Sequence, residues 1–224
     1  MTREREIAGP AGRLEALVEE PPAQGGVNAD GLVERGRTGG VRAAVVLAHP
    51  HPQYGGSMHT KVVYQAAKAF VRIGCAVVRF NFRGVGTSQG SWDEGRGEMD
   101  DFRAAVSFMR DAYPTLHVWA AGMSFGAWIA LTVGAENHDI SSLIGIAPPI
   151  SRYDFEPVRT SDKPKFFIQG ERDELCPLKE LQEFYARAHD PKELVVIDAA
   201  DHLFDGKTLE VGDAIEDLLG DWPG

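Results

Sequence analysis

Apolar residues in this chain come in short blocks, each bounded by turn-forming residues. Six blocks have the length of a strand: VRAAVVLAHP (41–50), CAVVRFNF (75–82), LHVWAAGM (116–123), SSLIGIAP (141–148), KFFIQG (165–170) and ELVVIDAA (193–200). They are apolar at consecutive rather than alternate positions, the pattern of a parallel strand covered on both faces. Between the blocks the spacing becomes helical. Thr60 to Ile73 carries Val63, Ala66, Ala67 and Phe70 on one face. Glu98 to Tyr113 carries Phe102, Ala105, Val106 and Met109 and stops at Pro114. Further helices are expected over roughly 125–135 and 178–188 and from Leu209 to Leu219.

Ahead of the first block, EIAGPAGRLEALVEEPP reads as a hairpin, with Gly9, Pro10 and Gly12 in the turn and an alternating strand from Arg13 to Glu19. Residues 21–40 are polar and rich in Gly and Pro, and read as an exposed loop. Strands that alternate with helices define the α/β class: a mostly parallel central sheet with helices on both faces. No internal repeat or low-complexity tract interrupts it, so residues 1–224 are expected to form one domain.

Composition narrows the function classes. The chain is 43% hydrophobic and 25% charged, too apolar and too evenly charged for a disordered segment. A formal charge of −10 argues against nucleic acid and anionic membrane surfaces as partners. No apolar run reaches the ~18 residues of a membrane span, and the charged start MTREREIAGPAG lacks a signal-peptide core. Cys75 and Cys176 have no zinc-like spacing. A cytoplasmic location is the expectation, and the sequence leaves open a monomer or a homodimer.

In open parallel sheets the chemistry gathers at the carboxyl ends of the strands. The exit of LHVWAA carries Gly122-Met123-Ser124-Phe125-Gly126 and then the apolar helix WIALTVGA. This is GxSxG in a strand–turn–helix setting, where a sharp turn holds the serine hydroxyl clear of the sheet at a helix N-terminus. A serine nucleophile needs a base and an acid that orients the base, in the chain order Ser, Asp or Glu, His. KFFIQG opens into Glu171-Arg172-Asp173-Glu174, and ELVVID into Ala199-Ala200-Asp201-His202. Asp173 and His202 follow their strands at the correct end and in the correct order. Glu171 and Glu174 compete with Asp173, while Asp198 and Asp201 read as loop and capping groups.

The loop His49-Pro50-His51-Pro52-Gln53-Tyr54-Gly55-Gly56 follows the first block. In this setting it supplies one backbone N–H to an oxyanion hole, the other coming from Phe125. Pro50 and Pro52 have no N–H, which leaves His51, Gln53 or Tyr54, and Tyr54 is favoured for its place beside the glycine pair. His49 and His51 form an HxH pair, but nothing downstream completes a metal site, so none is expected. The exit RFNFRGVGTSQGS has GxGxxxG rather than the GxGxxG of a dinucleotide loop, and no cofactor is expected.

These residues resemble the α/β-hydrolase superfamily. The match is nearest to the small bacterial serine hydrolases grouped with dienelactone hydrolase and the Xaa-Pro-peptidase-like esterases. It covers about residues 41–205 and rests on HPHPQYGGSM, VVRFNFRGVGTSQG with WDEGRGEMDD, GMSFG, GERDELCP and ADHLF, in the family's order. The resemblance implies Ser124 as nucleophile, His202 as base and Asp173 as its orienter. Dienelactone hydrolase itself uses cysteine, so Ser124 points to ordinary ester hydrolysis of a small-molecule substrate, and the short to medium acyl chains expected of it follow from the lack of room for a lid. Many relatives insert a helical lid after the strand matching SSLIGIAP. Here only the 15 residues Pro149 to Lys163 are available, too few for one. Tyr153, Phe155 and Trp92 are candidates to line the pocket. The competing readings are amide, peptide or thioester hydrolysis on the same residues, and a non-catalytic binding protein of this fold.

Overall fold

The computed structural model describes residues 2–22 and 40–222. Most of the loop expected over 21–40 therefore lies outside the described residues. Eight strands form one sheet: β1 (Thr2–Gly9), β2 (Gly12–Glu19), β3 (Ala43–Ala48), β4 (Ala76–Phe80), β5 (His117–Met123), β6 (Ile140–Ile146), β7 (Lys165–Gly170) and β8 (Lys192–Ile197). Their spatial order is β1-β2-β4-β3-β5-β6-β7-β8. The β1–β2 hairpin and the β2–β4 pair are antiparallel, and every other neighbour is parallel.

Six helices cover the sheet: α1 (Lys61–Arg72), α2 (Arg96–Ala112), α3 (Phe125–Glu136), α4 (Glu156–Thr160), α5 (Leu178–Arg187) and α6 (Thr208–Leu219). The pleat divides the core. Val45 and Leu47 of β3 and Trp119, Ala121 and Met123 of β5 pack with Val63, Phe70, Val211 and Ile215 of α1 and α6. Ala44, Val46, Val118 and Ala120 point the other way, onto a core that includes Phe102 of α2, Ile129 of α3 and Phe184 of α5. The consecutive apolar positions of the central strands thus have burial on both faces, as the sequence pattern requires.

Several apolar blocks end later than their strands. In SSLIGIAP the strand stops at Ile146, and in ELVVIDAA at Ile197. Ala147 and Ala200 are nevertheless buried, because the exits fold back over the sheet; Ala147 and Ala199 have φ of 48° and 53°. Burial, not strand geometry, makes those positions apolar. Helix α2 begins two residues before the expected Glu98, because the Glu98 carboxylate accepts the N–H groups of Asp93 (3.0 Å) and Gly95 (2.8 Å) and closes the first turn. The segment 149–163 holds only the five-residue α4, whose Val158 is buried in the core. It forms no helical lid.

The β4 exit braces the loop that follows β3. Arg79, buried, donates Nε to Glu19 at 2.9 Å and a terminal nitrogen to the Met58 carbonyl at 2.5 Å. Asn81 Oδ1 accepts the Met58 N–H at 2.8 Å. Burial raises the Glu19 pKa, but the hydrogen bond from Lys68 and the charges of Arg79 and Lys68 outweigh it and leave the carboxyl below its usual range.

Candidate active site

Ser124 stands at the tight passage from β5 into α3, with φ of 52° and ψ of −121°. Few non-glycine residues adopt a positive φ, and here the surroundings impose it. The Ser124 N–H donates to Ile146 O in β6 at 2.8 Å, and its carbonyl accepts from Ala127 at 2.8 Å. The flanking glycines permit the close packing. A Cβ on Gly122 would sit 2.2 Å from Gly126 O, and one on Gly126 would sit 2.4 Å from His49 O. The result is a serine aimed out of the carboxyl edge of the sheet.

The three sequence-predicted side chains come together there. His202 Nε2 is 3.0 Å from Ser124 Oγ, and His202 Nδ1 is 2.8 Å from Asp173 Oδ2. Asp173 is fully enclosed, with its carboxylate further bound by three donors. Oδ1 accepts the N–H groups of Leu175 (2.9 Å) and Cys176 (2.8 Å), and Oδ2 accepts Gln169 Nε2 at 3.0 Å. These donors fix the direction of the carboxylate. With Asp173 as acceptor, His202 carries its proton on Nδ1 and turns the Nε2 lone pair toward the serine. Glu171, the competing acid, instead accepts the Ala199 N–H at 2.8 Å and supports the turn after β8, while Glu174 is exposed. Asp201 accepts the Asp205 N–H at 3.0 Å, in keeping with a loop-capping role.

Gln169 carries no sequence signal. It lies in an apolar strand block four residues before Asp173, and its Nε2 also donates to Cys176 O at 2.7 Å. One amide thus ties the acid loop to β7. Only knowledge of the β7 pleat direction would have pointed to it.

The oxyanion expectation needs revision. The Tyr54 N–H donates to His51 O at 3.1 Å within a short 3-10 turn over Pro52–Tyr54, and the Tyr54 side chain is 85% exposed. The turn therefore uses the amide expected to be free. The Gln53 N–H faces His51 Nδ1 at 3.2 Å. Of the three candidates, only the His51 amide makes no hydrogen bond among the described residues, and the Phe125 amide likewise has no acceptor.

His49 is buried, and its ring joins two strand exits. Nδ1 donates to Pro50 O at 2.6 Å and Nε2 accepts the Phe82 N–H at 3.1 Å. Burial pushes its pKa down to about 4. The His51 ring packs on Trp92, Tyr54 and Phe125 with centroids 4.6–4.9 Å away. HxH is therefore a packing pair. The GxGxxxG segment is fixed by Arg83, which makes a two-point buried ion pair with Asp101 of α2 at 2.7 and 3.0 Å.

A cavity of about 560 Å³ opens above Ser124 and His202. Tyr153 lines it and stacks on Trp128 at 4.1 Å and 11°. Phe155 is instead buried against Phe184, and Trp92 lies behind His51 and Phe125. Asp173, Cys176 and His202 offer ligand atoms within 4.8 Å of one another. They do not suit a resident metal: Asp173 is bound by four donors, and burial with the Asp173 charge pushes the Cys176 thiol up to about 12. Among the described residues no helix is long and apolar enough to cross a membrane.

A sheet of this order, with a serine on the tight turn after β5 and an acid and a histidine after β7 and β8, is the α/β-hydrolase fold. Known proteins agree. Residues 39–160 match the family described as serine aminopeptidase, S33 (Hydrolase_4). An uncharacterized protein of Rickettsia prowazekii is 38% identical over 185 residues, covering 79% of this chain and 77% of that one. An alpha-beta serine hydrolase homologue from Coxiella burnetii superposes with a TM-score of 0.85 at 33% identity, covering 97% of each chain. A serine hydrolase without lid from Xanthomonas campestris superposes at 0.86 and 34% identity, covering 99% of this chain and 94% of its own. The chain belongs to the family described as serine aminopeptidase, S33, within the α/β hydrolases.

Proposed function

We propose that this hydrolase cleaves carboxylic esters of small molecules, with short to medium acyl chains, through an acyl-enzyme on Ser124. The observation that carries this reading is the unbroken line from Asp173 through His202 to Ser124 Oγ, at 2.8 and 3.0 Å, in a cavity also lined by His51 and Phe125, whose amides have no acceptor among the described residues. His202 Nε2 accepts the Ser124 proton as Oγ attacks the ester carbonyl. The developing oxyanion is held by the N–H groups of His51 and Phe125, at the N-terminus of α3, where the helix dipole also favours negative charge. His51 takes the place first given to Tyr54. His202 then returns the proton to the leaving alcohol, and a water activated by the same nitrogen releases the acid. Asp173 keeps the imidazole in the required tautomer throughout.

The family description favours a second reading, removal of N-terminal residues from peptides. An aminopeptidase needs an anionic or strongly accepting group to hold the substrate's α-ammonium. The cavity lining contains no Asp or Glu among the described residues, which supports the ester. The open, lidless cavity supports short chains over long ones.

The test pairs chemistry with a label. A fluorophosphonate probe is expected to modify the wild type at Ser124 stoichiometrically, and Ser124→Ala to lose both labelling and p-nitrophenyl acetate hydrolysis. Turnover retained in Ser124→Ala would remove the serine from the mechanism. Faster cleavage of aminoacyl p-nitroanilides than of p-nitrophenyl esters would favour the peptidase reading, and a palmitate ester outrunning acetate would overturn the short-chain preference.

A further inference from the structure

The cavity above Ser124 is walled mainly by apolar and aromatic groups, including Tyr54, Phe125, Tyr153, Leu175 and Leu203. One lining residue among those described carries a fixed charge, Arg152. His202 and His51 also line the cavity, but burial lowers the His51 pKa and keeps that ring neutral near pH 7. The only nearby carboxylate that belongs to the site, Asp173, is enclosed behind His202 and shared among four donors.

Arg152 makes no ion pair and no side-chain hydrogen bond among the described residues. Most described arginines, among them Arg72, Arg79, Arg83, Arg96, Arg103, Arg110 and Arg159, pair with carboxylates, and of those that do not, Arg152 is the one that lines the cavity. Its backbone is fixed: the Arg152 N–H donates to Pro149 O at 3.0 Å, and the next residue, Tyr153, is clamped by its stack on Trp128. The charge reaches across the cavity. Burial and then the Asp173 charge raise the Cys176 thiol, and Arg152 pulls the other way; burial raises the Tyr153 phenol, and Arg152 again opposes it.

A chain with a net charge of −10 thus keeps at the wall of a mainly apolar cavity one exposed cation that has no ion-pair partner among the described residues. A guanidinium offers a planar fork of donors that matches the oxygens of a carboxylate or a phosphate. We infer that Arg152 is a specificity determinant, and that the preferred substrate is an ester bearing a second, anionic oxygen group — a carboxylate or a phosphate — that Arg152 holds while Ser124 attacks the ester carbonyl. This rests on the ester reading above and names the substrate class within it. The same charge repels the α-ammonium that an aminopeptidase must hold.

The test compares mono-p-nitrophenyl glutarate with its neutral methyl ester, p-nitrophenyl methyl glutarate, in wild type, Arg152→Lys, Arg152→Gln and Arg152→Glu. No intramolecular bond of the Arg152 side chain is lost in these variants, and thermal melts check that they fold. The wild type is expected to favour the anionic ester by about 5-fold or more in kcat/KM at low salt, the upper end of what a charge pair at an exposed side chain supplies. The preference should shrink at high salt, persist in part in Arg152→Lys, vanish in Arg152→Gln and reverse in Arg152→Glu. An equal preference ratio in wild type and Arg152→Gln overturns the proposal.

Calorimetric titration with 5-methoxypentanoate and with butyl phosphate, neither of which carries a carboxylic ester, gives a readout independent of turnover. The tighter of the two identifies the oxyanion, and either one should bind Arg152→Gln at least about 5-fold more weakly. Binding that is unchanged by the substitution, or absent in the wild type, counts against Arg152. Binding that depends on Arg152, with neither ester hydrolysed, would keep the anion site and sink the ester reading.

Discussion

At the scale of single residues the site depends on groups that hold the reacting ones. Gln169 donates to both Asp173 Oδ2 and Cys176 O, so the acid loop has one side-chain tether to β7. Gln169→Leu removes that tether and leaves the buried Cys176 carbonyl without its donor. The expected outcome is a fall in kcat of about 10-fold with KM little changed, and a stability loss of ~1–3 kcal/mol, the cost of an unsatisfied buried acceptor. Steady-state kinetics beside urea unfolding checks both. Equal kinetics in the variant would show that the backbone amides of Leu175 and Cys176 suffice to aim Asp173. Ser124, Asp173 and His202 could be read from the sequence because each directly follows an apolar block. Gln169 could not, because an amide inside a strand looks like an ordinary interruption of the pattern. Tyr54 misled for a related reason: the choice among three amides depends on which ones a 3-10 turn consumes, and that turn has no strong signature beyond Pro52.

At the scale of elements the critical approach is that of α3 to β3. Gly126 lets the first turn of α3 lie against the carbonyls of Ala48 and His49, where a Cβ would come within 2.6 and 2.4 Å. The two amides assigned to the oxyanion hole ride on these two elements, His51 after β3 and Phe125 on α3. Gly126→Ala should therefore force them apart. Overpacking of this kind costs ~1–3 kcal/mol, whereas misplacing one oxyanion donor costs about 10²–10³ in rate. Activity is expected to fall much further than stability, as parallel kinetics and denaturant curves would reveal; a loss of stability alone would place the hole elsewhere. The alternation of strand and helix was visible in the sequence because it is written in periodicity. Strand ends were less so, since the exits at Ala147 and Ala199–Ala200 are as apolar as the strands. The five-residue α4 was missed because it is shorter than two helical turns and has no period to read.

At the scale of the whole molecule, acid sensitivity follows from buried histidine. His49 is neutral in the fold with its pKa near 4, whereas in the unfolded chain it titrates near its reference value of about 6.5. Between those values the unfolded state takes up a proton that the folded state refuses. Stability held above about pH 6.5 is therefore lost as the pH falls toward 4, by about 3 kcal/mol at most. His51, also lowered by burial, acts in the same direction. Glu15 and Glu19 sit below the ordinary glutamate range, so their contribution is lost only at lower pH and does not obscure this window. Urea unfolding at pH 7 and pH 5 should show the decline, with a smaller one in His49→Gln; identical slopes would show that His49 is charged in the fold.

The position of β8 has a consequence for how the molecule fails. Among the described residues its only strand neighbour is β7, at the border of the sheet, and Val196 is 39% exposed. Yet the loop that follows it carries His202, whose Nε2 lies 3.0 Å from Ser124 Oγ and is proposed to move the proton. His202 thus hangs on a border strand, and loosening of that border is enough to part it from Ser124 while the central strands stay paired. Hydrolysis should accordingly disappear at lower urea than the circular dichroism of the sheet and helices. The molecule would then report damage at its margin by falling silent well before it unfolds.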